Sequence, residues 1–490
     1  MRVISGDEAY KLWKSGAESW NRWARRESRG TRVEFKGTIP RDGEGGSADF
    51  RGYYFPVSVT FNNVTLVNAA FDDASFGDHV SFLGTVFKNG AMFEKTHFVS
   101  GAAFRSSRFE GTARFLETTF SKRCDFQLTR FQSGAVFRGA NFEETVTFNN
   151  LKCKKFITFS DVHFHGAADF RSSTFNGSCN FMSSTFEKGA SFPNAKFQSN
   201  ANFAGTSFQG ISAFGQCHFK GPCSFELSTF DEVASFFEAK FEGRATFRHS
   251  KFNGSLDISG AKFLAIPDFR QTALGHHLSL RSAKISCGEC FEDGDADRLR
   301  RLKEIAIQTK DHVLEQEFFA LEMTAARTTE VPEQLQTRPL YRIRPSVRQV
   351  FKTKQFGNIK KQMRYEVLRR QTSNELRLLP NYLYGLLSDF GQSITRPILG
   401  ILASLFIFAT LFRAIATCQG AGWTSAFVYS GSLLFPFFSF ARNEGKLARD
   451  ALFGEDFLSL PLSVFGLVEG TLGLIFVFLI GLALRNRFRL

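Results

Sequence analysis

Two charged residues stand in or beside apolar stretches near the end of this 490-residue chain. Glu469 lies within the run 460–484, and Arg413 follows the uncharged run 398–412. A charge inside a membrane is costly and is normally paired or turned toward a polar path. The two are expected at similar outer-leaflet depth, either as an ion pair or lining a polar path. Gly466 and Gly470 give the same helix a GxxxG spacing, which suits close helix packing and oligomerisation. Between the runs, the segment at about 423–440 includes Phe435-Pro436-Phe437. It is too apolar for a hydrated loop and is broken by proline, so a re-entrant or interfacial segment is expected.

A second chemical candidate is Cys287-Gly288-Glu289-Cys290, with His276 and His277 nearby. The spacing between the pairs is short and there is no second CxxC, so an exposed turn is expected and a metal site is the lesser alternative. His163 and His165 flank Phe164 and point outward. No Walker loop, HExxH or nucleophile elbow occurs, so neither an enzyme nor a cofactor is expected.

The third candidate is electrostatic. Net charge is +14, and residues 338–377 hold 12 Lys/Arg against 2 Asp/Glu. Arg342, Arg344, Arg348, Lys352, Lys354, Lys360, Lys361 and Arg364 belong to this block, which suits an anionic surface. An apolar span follows it, so anionic lipid rather than nucleic acid is the expected contact. The apolar runs are long enough to cross the ~30 Å hydrocarbon core. Basic residues precede the first and follow the second, as Arg485, Arg487 and Arg489. The positive-inside rule then puts both ends in the cytoplasm, in a multi-pass protein of the bacterial inner membrane.

The elements that carry these residues begin with a repeat. Phe occurs 61 times, against 4 Trp and 8 Tyr, which requires repeated demand for one side-chain shape. From Phe71 to Phe269 the Phe positions are spaced alternately by five and six residues, with a break at Cys153. Two residues before each Phe sits a small or β-branched residue, such as Ala102, Thr118, Cys124 or Ala201. In an extended chain, positions i and i−2 face the same side, so both point inward. A helix is excluded, because steps of five and six do not form one stripe on a 3.6-residue cylinder. Cys124, Cys179, Cys217 and Cys223 fill the small slot, and no disulfide framework is expected.

Ala140-Asn141-Phe142, Ala168-Asp169-Phe170, Cys179-Asn180-Phe181 and Ala201-Asn202-Phe203 resemble the pentapeptide-repeat family over residues 50–270. The resemblance implies a right-handed, four-sided β-helix, and 22 residues per coil give nine or ten coils. The expected fold is thus an all-β right-handed quadrilateral β-helix with N- and C-terminal α-helical caps and a C-terminal α-helical transmembrane hairpin. Residues 1–49 are expected to form a helical cap and leader, with Asp7 as a helix N-cap. Residues 1–30 lack a signal-peptide core. Residues 271–335 are expected as a helical cap or docking hairpin opened by Asp295 and Asp297, 336–396 as a basic linker and 397–490 as the two-span domain.

Some membrane proteins with such repeats resemble a cytosolic solenoid joined to a potassium-channel-like pore. Tyr384-Gly385 and Asp389 to Ser393 sit where that linker would be. Ser430-Gly431-Ser432 followed by Leu433 to Phe437 lacks the carbonyl filter such a pore uses. The function classes that follow are a sensing or partner-binding solenoid on an oligomeric channel-like unit, or a membrane-tethered scaffold without conduction. A DNA-mimic role is a minor alternative, because residues 50–270 hold 23 Lys/Arg against 19 Asp/Glu rather than an acidic excess. The partners expected are anionic lipids, further copies of the chain and a cytosolic protein.

Overall fold

The computed structural model describes residues 2–40, 46–275, 277–286, 291–329, 383–388, 393–418, 422–435, 439–454 and 460–487. It forms two compact units, Met1–Phe291 and Glu292–Leu490.

The first unit is a parallel β-solenoid. Four short strands make one coil: His97–Phe98, Ala102–Ala103, Arg108–Phe109 and Thr112–Arg114, after which Thr119–Phe120 lies over His97–Phe98. One ladder runs unbroken through 11 strands. The coil extends beyond the Phe repeat at both ends. Thr38–Ile39 pairs with Thr65–Leu66 at the start, and Lys262–Phe263 pairs with Lys284–Ile285 at the finish. Backbone pairing continues there although Ile, Leu and Val have replaced Phe, which is why the sequence period stops short and its nine or ten coils are too few.

The interior is a herringbone of rings. Phe104 stacks on Phe126 with centroids 4.7 Å apart and planes at 2°. Its edge meets Phe115 at 5.5 Å and 88°. Both geometries suit the aromatic quadrupole and add to the area each ring removes from water.

The small slot before each Phe proves to be two slots. One is mostly apolar (Ala91, Ala113, Ala135) and fully enclosed. The other is mixed: Ala140, Ala195 and Ala239 occupy it at some turns, and at others it holds a buried hydroxyl, several of which donate to a carbonyl of the preceding coil. Thr96 donates to Phe71 at 2.7 Å, Thr118 to Phe93 at 2.6 Å and Thr206 to Phe181 at 2.8 Å. Cys217 belongs to this set, with Sγ 3.0 Å from the Phe192 carbonyl, whereas Cys124, Cys179 and Cys223 sit in the apolar slot. At the break, Cys153 replaces a ladder Phe while the flanking slots enlarge to Leu151 and Ile157, all three buried. That exchange keeps core volume roughly constant.

The five-residue step closes with a left-handed residue two positions after Phe. Ser106, Glu117, Leu128, Asn150, Asp161 and Leu227 hold positive φ at this point of successive turns, as does Gly139 at +67°. The backbone conformation is set by the coil, so it is imposed even on Leu.

The N-terminal end is covered within this unit. Helix α1 (Asp7–Lys14) and helix α2 (Ala17–Glu27) bring Trp13 and Trp20 over the first rings. Trp20 lies 5.1 Å from Phe55 and donates Nε1–H to the Tyr54 carbonyl at 2.9 Å, while Trp13 donates to the Asp49 carbonyl at 2.8 Å. Gly6, not Asp7, is the N-cap of α1, and Asp7 is its first helical residue. Asp7 can still favour the helix through its place in the positive first turn.

The second unit is helical. Helix α3 (Asp295–Gln308) and helix α4 (His312–Thr329) form the expected hairpin, with the buried Glu322 accepting from Arg300 at 2.9 Å and Lys303 at 2.5 Å. Helices α5 (Thr395–Ile415), α6 (Trp423–Leu434), α7 (Ser439–Phe453) and α8 (Leu460–Arg487) follow.

Candidate functional site: an apolar helix pair around a buried carboxyl

Helices α5 and α8 are long and apolar enough to cross a membrane. Only 17% of the apolar window in α5 and 28% of that in α8 is buried, whereas a soluble core helix would be mostly covered. Leu399, Leu402, Phe406 and Ile407 on α5 are exposed, as are Leu467, Val468 and Phe478 on α8. Such large, exposed apolar faces mark a surface made for something other than water.

The two helices run antiparallel. A Cβ on Gly400 would lie 2.4 Å from the Phe476 ring, so early α5 meets late α8. Helix α6 packs against both. At 12 residues it is about 18 Å long, too short for a full crossing. Its seat on α8 is made by glycines. A Cβ on Gly466 would lie 3.6 Å from Leu433 side-chain carbons, and one on Gly470 would stand 3.3 Å from the Leu433 carbonyl oxygen. Gly473, which the GxxxG spacing does not single out, is tightest, since its Cβ would lie 2.3 Å from the Leu434 carbonyl oxygen. The GxxxG face is therefore filled by α6 of the same chain, and close packing is its visible use.

Glu469 is fully buried beneath α6. Its Oε1 accepts a hydrogen bond from the Ser430 hydroxyl, which also lies 3.2 Å from the Leu405 carbonyl oxygen of α5. Oε2 has no partner, and neither does Nε of Arg413. The ion pair expected between Glu469 and Arg413 is not formed. Glu469 sits level with Leu405, eight residues or roughly 12 Å along the helix from Arg413, so the two do not share a depth. One carboxylate, one hydroxyl and one carbonyl thus meet in the middle of an otherwise apolar bundle.

The connection between the spans contains a helix that its charges conceal in the sequence. Ala448, Leu452 and Phe453 of α7 pack with Ala409, Phe412, Ala426 and Tyr429, while Arg449 pairs with Asp450 at 2.6 Å on the polar side. The apolar residues recur at helical spacing, which is the signal that could have found it. Phe435 ends α6, its N–H bonded to the Gly431 carbonyl at 3.1 Å. Before α5, Tyr384 and Gly385 lie in a short helix at 383–388, and Arg396 donates to the Gly385 carbonyl at 3.0 Å.

Pro436, Phe437, Cys287, Cys290, His276 and the basic residues Arg342, Arg344, Arg348, Lys352, Lys354, Lys360, Lys361 and Arg364 lie outside the described residues. Among the described residues, no three His, Cys, Asp or Glu side chains gather as a metal-binding set. His165 is on the surface, 2.8 Å from Glu187.

A solenoid that turns on four sides in steps of five and six residues defines a class, the pentapeptide-repeat proteins. The family model described as Pentapeptide repeats (9 copies) matches residues 82–130, 104–151 and 156–196, so the coils over these residues carry that family's repeats. No curated protein and no solved structure matches the chain.

Proposed function

We propose that the protein is a non-enzymatic, membrane-anchored solenoid whose coiled unit serves partner binding or sensing and whose helices α5 and α8 span the bilayer of a bacterial inner membrane. The observation that carries this reading is the pair of exposed apolar faces on α5 and α8, for which lipid chains are the natural cover. Both ends of the pair are cytoplasmic in this reading, with the basic segment before α5 lying against anionic headgroups. Alkaline carbonate washing of membranes carrying the full chain, followed by flotation, tests it. The chain should stay with the lipid, and release into the aqueous fraction would reject the anchor.

One observation favours a second reading, in which copies of the two-span unit assemble into a channel-like pore. It is the buried carboxylate of Glu469, with one oxygen unpartnered at mid-span, since such groups commonly serve ion or proton movement. Ion flux into liposomes holding the full chain should then fall in Glu469→Gln at unchanged oligomeric state. A strict monomer without flux would leave the tethered scaffold as the function.

A further inference from the structure

One ladder of the solenoid gathers a row of outward basic residues. In register along one ladder stand Arg108, Arg130, Lys152, Thr174, Lys196, His218, Lys240, Lys262 and Lys284, each directly over the last. Seven of these nine places are Lys or Arg and an eighth is His. The corresponding outward places of the ladder through His97–Phe98 are His97, Thr119, Asn141, His163, Thr185, Ser207, Thr229, Lys251 and Ala273. A third ladder presents Asp125, Asp169 and Asp257 and no cation from Ser81 to Ser279. The fold itself accepts neutral residues at this position, so the coil does not demand the basic row.

Stacked like charges repel, and folding alone gains nothing from them. Among the described residues, acidic neighbours relieve the row in two places only. Arg108 pairs with Glu110 at 2.9 Å, and Glu242 bonds both Lys240 and His218. Arg130, Lys152, Lys196, Lys262 and Lys284 are exposed, and among the described residues none is in an ion pair. At about 4.8 Å per coil the row is roughly 40 Å long.

We propose that this basic ladder docks the solenoid onto the anionic headgroups of a lipid bilayer. The inference rests on the membrane-anchored reading above, which brings a headgroup surface within reach. Charge complementarity selects the occupant. A straight row of separate cations suits many singly charged headgroups, each free to diffuse beneath one side chain. Single-stranded nucleic acid would call for aromatic stacking platforms along the row, and the ladder positions hold none.

The test is amine footprinting of the full chain in proteoliposomes, with modification of Lys152, Lys196, Lys262 and Lys284 followed by mass spectrometry. Lys251, exposed on another ladder, is the internal control. On vesicles of equal phosphatidylglycerol and phosphatidylcholine, the four ladder lysines should react at least about threefold more slowly than on pure phosphatidylcholine. Lys251 should not change, and the protection should disappear at about 1 M salt, where screening acts within about 3 Å. A chain that floats with both vesicles while its ladder lysines react equally on each overturns the ladder and leaves the anchor standing. Equal reaction on lipid combined with protection by single-stranded RNA overturns it in favour of nucleic acid. A chain that floats with neither vesicle removes the anchored reading and this inference with it.

Discussion

The solenoid and the α5–α8 bundle bury side chains by opposite rules. In the solenoid most coils repeat one solution, a large ring beside a small slot, so most Phe rings meet near-identical neighbours above and below, the turn at Cys153 and the end coils excepted. In the bundle each contact is made once. Gly473 admits the end of α6, Gly400 admits Phe476, and Ser430 bonds Glu469. Thr and Ser hydroxyls bond carbonyls at many turns of the solenoid, as Thr96, Thr118 and Thr206 do, whereas the bundle buries a carboxyl with one oxygen unpartnered. Repetition therefore yields a core with little individuality, and specific function falls to the outward faces of the coils and to the non-repeating bundle.

That contrast can be broken most directly in the ladder. Phe126→Ala should cost about 3–5 kcal/mol in chemical unfolding, because it opens a hole beside five rings at once, those of Phe104, Phe115, Phe120, Phe137 and Phe148. Phe170→Ala, another ladder position, should cost a similar amount. A difference of more than about 2 kcal/mol between them would deny that the coils are equivalent. In the bundle, Gly473→Val should destabilise by about 1–3 kcal/mol or more in detergent melting, since the added atoms meet a backbone carbonyl. Gly481→Val, with nothing within 4 Å of its Cβ, should be nearly silent.

Smaller effects sharpen the solenoid side. Thr118→Val should cost about 1 kcal/mol by leaving the Phe93 carbonyl without its hydroxyl donor, whereas Ala113→Ser should bring no compensating gain. Leu227, left-handed at φ 59° and largely exposed, should be improved by Leu227→Asn by about 0.5 kcal/mol, as Asn tolerates that conformation better. Both shifts are read from denaturant midpoints. Burial raises the thiol of Cys153 to about 12 and pushes those of Cys124, Cys179, Cys217 and Cys223 upward as well. All five should resist maleimide at neutral pH until the solenoid unfolds, as mass spectrometry would show.

The solenoid was legible because its periodicity is geometric. Spacings of five and six can be met only by a strand and a corner, so Phe71 to Phe269 located nearly every inward side chain. Two details were hidden. Thr118 and Ala113 look alike as small residues, and only the neighbouring coil distinguishes a hydroxyl that is used from a methyl that is merely accommodated. The last coils were missed because Leu274 and Ile285 continue the pairing without the Phe signature. The bundle was harder to foresee, since nothing in its sequence states which helix meets which. Glu469 stood out by its cost, but its partner did not. Arg413 was the obvious choice by charge, and Ser430, an ordinary hydroxyl on a short helix, holds the place. The basic ladder was invisible for a related reason: its members are 22 residues apart and come together only when the coil winds.

The central claim is that lipid chains cover the bundle and not the solenoid. A photoactivatable diazirine on the acyl chain of a phospholipid, reconstituted with the full chain and mapped by peptide mass spectrometry, tests it most directly. Labelling is expected on Leu402, Phe406, Leu467 and Phe478, with none on the exposed solenoid residues Leu128, Ile211 and Leu227. Equal labelling of both groups, or none on α5 and α8, would contradict the account.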